Sequence, residues 1–76
     1  MNTLITISSE IMGGTPVFYG TRVPIISLFE HLEGGVKIDD FIEDFPTVTK
    51  EQIIKILELS SQFLLHNIKV VHENFD

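Results

Sequence analysis

Met12-Gly13-Gly14-Thr15-Pro16-Val17-Phe18-Tyr19-Gly20-Thr21-Arg22-Val23-Pro24 decides the fold of this chain. Three glycines and two prolines bracket one short apolar run. Gly13-Gly14 can take positive φ without steric cost and reads as a tight turn. Pro16 opens an extended run but cannot donate to a ladder, so Val17-Phe18-Tyr19 reads as a short or edge strand. Gly20 ends it, and Thr21-Arg22-Val23 leads to Pro24, whose φ is preset for the first turn of a helix. The stretch therefore encodes turn, strand, turn and helix start.

Outward from it, Thr3–Ile7 is β-rich and reads as a first strand, followed by a turn at Ser8–Ile11. Pro24 to Glu33 reads as a helix, with Ile25, Leu28, Phe29 and Leu32 at i, i+3, i+4, i+7. Gly34-Gly35 stops it. Ile38, Phe41, Ile42 and Phe45 repeat that spacing in a short second helix, with Asp39 and Asp40 in its first turn, where the helix dipole favours negative charge. Pro46 ends it. Thr49 and Gln52 form a capping-box pattern for a third helix reaching about Leu65. Its expected buried stripe is Ile53, Ile56, Leu57, Ser60, Phe63 and Leu64. Ile54 and Leu65 lie off that stripe and point to a second contact surface. Ile68-Lys69-Val70-Val71 reads as a terminal strand. The expectation is a mostly α, small trihelical, winged helix-turn-helix domain with short N-terminal β-strands. The second and third helices form its turn-separated pair. A single domain spans 1–76, its core about 5–65, with a tail over 66–76.

Composition narrows the partners. The 76 residues make one domain at most, close to the size where a lone core is marginal. There is no cysteine, so no disulfide or thiolate metal site adds stability. Yet 43% of residues are hydrophobic, which argues that apolar surface meets another chain. A dimer or higher oligomer is expected, with the β-prone ends Leu4–Ile7 and Ile68–Val71 offering edges that pair. Eleven acidic against five basic residues give a net charge of −6. That opposes broad electrostatic attachment to nucleic acid and suits a partner with a basic groove. The N-terminus lacks a basic region followed by an apolar core, and no apolar run approaches the ~20 residues of a membrane span, so the expected place is the cytoplasm.

The signature also resembles the bacterial and archaeal domain of unknown function 433 family, whose pattern is Gly-Gly-x-Pro-Val followed by Gly-Thr-Arg-Ile/Val-Pro. Here Gly13, Gly14, Pro16, Gly20, Thr21, Arg22 and Pro24 carry it. Leu32-Glu33-Gly34-Gly35 is similar to the family's Leu-x-x-Gly. Asp39-Asp40-Phe41-Ile42-Glu43-Asp44-Phe45-Pro46 is similar to its Glu-Glu-Ile-x-x-x-Tyr/Phe-Pro segment. Val48-Thr49-Lys50-Glu51-Gln52-Ile53 is similar to its Leu-Thr-x-Glu-x-Ile helix start. The likeness runs from about Ile5 to Phe63. Lys37 departs from it, standing where the family has a Ser or Thr able to cap a helix. The resemblance implies a small helix-turn-helix protein and an antitoxin similar to the VapB class, encoded beside a PIN-like ribonuclease toxin.

Candidate sites keep two readings each. Arg22, the single arginine, is either a turn clamp, bidentate to a carboxylate or to backbone carbonyls, or a phosphate or partner contact. Thr47, Thr49, Lys50, Gln52 and Lys55 surround the start of the third helix. They are either DNA-binding residues or an ordinary solvated face, with Glu51 and Lys55 an i,i+4 pair. His31, His66 and His72 share no metal-ligand spacing, and the acidic pairs Asp39-Asp40 and Glu43-Asp44 read as capping and solvated charge. Gly13-Gly14-Thr15 lacks the lysine of a phosphate loop. No enzyme, cofactor, metal or small-molecule substrate is expected. Three functions remain open. One is an antitoxin that neutralises a PIN-like nuclease and represses its own operon as a dimer by binding operator DNA. The others are a stand-alone DNA-binding regulator and an interaction module without DNA binding.

Overall fold

The computed structural model describes residues 3–69. Strand β1 (Ile5–Thr6) is followed by a 3-10 turn at Met12–Gly14, strand β2 (Val17–Phe18) and three helices, α1 (Ile25–Glu33), α2 (Ile38–Asp44) and α3 (Lys50–His66). The protein is mostly helical, with a two-stranded antiparallel sheet at its N-terminal side.

The decisive stretch folds as turn, strand, turn, helix, as expected. β2 is a short strand of two residues in the two-stranded sheet. On one side it pairs with β1, Ile5 opposite Phe18 and Thr6 opposite Val17. On the other, the chain folds back. Phe18 N–H donates to Val23 C=O at 3.0 Å, Ile25 N–H donates to Pro16 C=O at 2.9 Å, and Val17 bridges Pro24. Val17 and Phe18 are therefore fully buried although successive strand residues face opposite sides. Pro24 is the N-cap of α1 at φ −62°. Gly20 holds φ +77°, which a side chain would strain, and lets the chain reverse.

α1 ends in a Schellman motif: Val36 N–H donates to His31 C=O at 2.9 Å, and Gly35, at φ +84°, donates to Leu32 C=O at 3.0 Å. α2 starts at Lys37 with no side-chain cap, as a lysine requires, and carries Asp39 and Asp40 in its first turn. α3 starts with the full capping box. Gln52 N–H donates to Thr49 Oγ1 at 3.1 Å, and Thr49 N–H donates to Gln52 Oε1 at 3.0 Å.

One cluster holds these elements together. Phe18 of β2, Leu28 of α1, Phe41 of α2, Val48 of the α2–α3 turn, and Ile53 and Ile56 of α3 are all buried. The other apolar residues read on the first two helices (Ile25, Phe29, Leu32, Ile38, Ile42, Phe45) pack on its rim. His31 is part of this packing. Its ring meets Phe41 edge-on at 5.1 Å and Phe45 at 5.5 Å, while Nδ1 lies 2.6 Å from Ser27 C=O.

The body stops short of the end of α3. Ile53, Ile56 and Leu57 pack on the core as expected, but Ser60, Phe63 and Leu64 do not. Phe63 is 70% exposed. Periodicity located the inward face correctly, but among the described residues no other element extends beneath its second half. The terminal strand expected over Ile68–Val71 is contradicted in its described half: Ile68 and Lys69 are helical, local helix continuation overriding β-branched propensity. Val70, Val71 and His72 lie outside the described residues.

Phe41→Ala should remove the ring on which three elements converge, at about 3–5 kcal/mol, and leave little or no cooperative thermal transition in so small a domain. A melting curve like that of the wild type would contradict this packing.

Candidate functional site

Thr21, not Arg22, clamps the signature turn. Its buried hydroxyl donates to Phe18 C=O at 2.8 Å and accepts from Val23 N–H at 3.0 Å, closing the reversal between β2 and α1. Arg22 is exposed, and its guanidinium makes no hydrogen bond or ion pair among the described residues. The clamp expected of it is absent because a short β-hydroxyl reaches both backbone groups directly. A sequence signal existed: threonine next to a left-handed glycine is a common local backbone binder.

The freed guanidinium lines an open groove of ≈ 570 Å³ with Thr6, Ile11, Pro24, Phe45 and Thr47. A second groove, ≈ 420 Å³, runs along the start of α3 and shares Thr47. It gathers four of the five expected DNA-binding residues, Thr47, Thr49, Gln52 and Lys55, with Leu4, Tyr19 and Glu51. Tyr19 was missed as a site residue. Its ring is half exposed because β2 ends beside the N-terminus of α3.

These residues are not equally available. Gln52 uses both ends of its amide: Oε1 in the capping box, and Nε2 donating to Tyr19 C=O at 3.0 Å. Thr49 is occupied by the same box. These two serve the fold, tying α3 to β2. Lys50 turns toward Asp39 of α2 at 3.8 Å, both largely exposed, a pair of small energetic weight. Glu51 and Lys55 do not close to ion-pair distance. Of the expected set, Lys55 and Thr47 remain as unengaged groove residues, joined by Arg22 and Tyr19.

Electrostatically the neighbourhood is divided. Glu30, Glu33, Asp39, Asp40, Glu43 and Asp44 are all exposed on α1 and α2, with Lys37 the one lysine between them. An arginine fork, a lysine and a phenol can grip a carboxylate or a phosphate. Among the described residues no three His, Asp or Glu stand close enough to hold a metal ion. Among the described residues no helix is long and apolar enough to cross a membrane.

Residues 5–59 match the family described as "Protein of unknown function (DUF433)", and the chain belongs to that family. A curated relative, the "Uncharacterized protein y4eO" of Sinorhizobium fredii (strain NBRC 101917 / NGR234), is 36% identical over 50 residues. These make up 66% of this chain and 23% of the relative, so the match spans about a quarter of that protein's length. No solved structure matches.

Two substitutions separate clamp from contact. Thr21→Val leaves Val23 N–H without its partner and should cost roughly 1–3 kcal/mol, read as a lowered thermal midpoint that Thr21→Ser largely restores. Arg22→Ala should move the midpoint by no more than a surface change does, within about 0.5 kcal/mol. A large loss in the second variant would return Arg22 to a structural role.

Proposed function

We propose that this DUF433 protein is a binding protein of the antitoxin kind, which captures a PIN-like ribonuclease in the cytoplasm and holds it inactive. The nuclease class comes from the family resemblance. The feature that supports the binding mode is the set of six exposed carboxylates on α1 and α2, whose charge suits the basic surface a ribonuclease needs for its own substrate. The helix-turn-helix pair supports the same direction. Thr49 and Gln52, which would read bases, are committed to the cap of α3, and Lys50 is drawn toward Asp39. α2 adds four exposed carboxylates, one of them the Asp39 that faces Lys50, and their charge opposes DNA phosphates.

The test is inhibition of a PIN-like ribonuclease encoded beside the gene, with both proteins purified and RNA cleavage followed. Inhibition should be present and weaken with salt. Asp40→Lys with Glu43→Lys should raise the inhibitor concentration needed by at least about ten-fold, with the fold intact. Inhibition indifferent to both salt and charge reversal would remove the acidic face from the binding mode, and no inhibition would remove the nuclease reading.

A second reading, operator binding, is favoured by one observation: Arg22, Tyr19 and Lys55 line neighbouring grooves that share Thr47. Under it, a salt titration of binding to the upstream DNA should show a shallow slope. Lys55→Ala should lower that slope by about one unit and weaken all sequences alike. An unchanged slope would leave these residues outside any DNA contact.

A further inference from the structure

α3 carries a second apolar line, distinct from the one that builds the core. Ile54, Leu57, Ser61, Leu64 and Ile68 follow one another at alternating intervals of three and four residues. That is the a/d spacing of a helix that packs against another helix. The sequence continues it at Val71 and Phe75. On a helix of 3.6 residues per turn this line lies about a quarter-turn from the inward stripe of Ile53 and Ile56, so the body does not cover it. Ile54, Leu64 and Ile68 are exposed, as is the flanking Leu65 at 65%, while Leu57 straddles the core rim. Ile68 is again helical one residue past the Asn67 C-cap. The family match ends at residue 59, so most of this line lies beyond the shared body.

We propose that α3 pairs with α3 of a second copy, antiparallel, along Ile54, Leu57, Ser61, Leu64 and Ile68, with the two-fold axis between Gln62 and Phe63. The line is self-complementary in that direction. Reversal about this axis sets Leu57 opposite Ile68 of the second copy and Ser61 opposite Leu64, so each layer joins an a to a d position and the small serine meets a branched leucine. The same reversal brings Glu58 alongside Lys69 of the second copy, twice by symmetry, on the flank of the seam. Both side chains are exposed and make no ion pair within the described chain. Ser60 and Asn67 do not obstruct the approach, because their side chains are bonded to their own helix. Ser60 Oγ donates to Ile56 C=O at 2.8 Å, and Asn67 Nδ2 donates to Phe63 C=O at 2.8 Å.

Net charge selects the direction. A parallel pair would set the acidic bodies of two chains, each of net charge −6, side by side. The antiparallel pair places them at opposite ends of a seam about 16 Å long from Leu57 to Ile68, about twice the ~8 Å screening length of physiological salt. So short a seam belongs at the lower end of specific interfaces, near ~1,000 Å² in total, where association is weak and reversible. This face is separate from the acidic face assigned to the nuclease, so the two readings stand or fall independently.

Sedimentation equilibrium of the full chain tests the pairing. The expected result is a reversible shift from 8.6 kDa to twice that mass across micromolar concentrations. Leu64→Glu should weaken association by at least about ten-fold without changing the helical circular dichroism of the dilute protein, whereas Phe63→Ser, off the seam, should not. Glu58→Lys should weaken it, and adding Lys69→Glu should restore it. Because the chain has no cysteine, direction can be read by oxidation. A mixture of Ser61→Cys and Leu64→Cys chains should cross-link to each other and neither to itself. A mass of 8.6 kDa at every concentration, association indifferent to Leu64→Glu, or self-linking of Ser61→Cys chains would each overturn the proposal.

Discussion

The ring of Phe41 is the contact on which the rest of the structure depends. It lies 6.5 Å from Phe18 of β2, 5.1 Å from His31 of α1 and 4.7 Å from Phe45 at the end of its own helix. A chain of 76 residues cannot build layers of core. It must bring every element to one cluster, and the turns exist to deliver them there. Thr21 closes the reversal that seats Phe18. The Schellman motif redirects the chain from α1 to α2. Gln52 then fastens α3 to the end of β2 through Tyr19 C=O, a hydrogen bond across 33 positions of sequence.

A cluster this small also sets a limit. It engages α3 as far as Ile56 and Leu57, and the helix goes on for more than two further turns. Those turns are rich in leucine and phenylalanine, which the body leaves in water. Much of the high hydrophobic fraction is therefore carried outward on α3 rather than into a larger core. The proposed pairing of α3 would cover part of that surface and leave the exposed carboxylates of α1 and α2 free.

Local chemistry was legible in the sequence, because it is written over a few residues. The glycine-proline punctuation, the Thr49–Gln52 capping box and the Gly34-Gly35 stop each act through neighbours, and each appears where expected. What depends on distant parts of the chain was not legible. Periodicity marks the inward face of α3 but cannot say how far the body extends beneath it, so Phe63 and Leu64 were expected to be buried. An exposed arginine and a clamping one have the same sequence context; the threonine beside Gly20 hints at a local backbone binder, and the backbone path shows that Thr21 already satisfies the turn. Gln52 illustrates the same limit: one of its roles is local and visible, while its bond to Tyr19 is not.

The central claim is that α3 has two halves with different allegiances, the first belonging to this chain's core and the second stabilised by another copy. Native-state amide hydrogen exchange measured over a range of protein concentrations tests it most directly. The account predicts protection of amides 53–57 that does not depend on concentration until global unfolding does, and protection of amides 60–66 that is slight in dilute solution and rises as the chains associate. Equal, concentration-independent protection along the whole of α3 would contradict it.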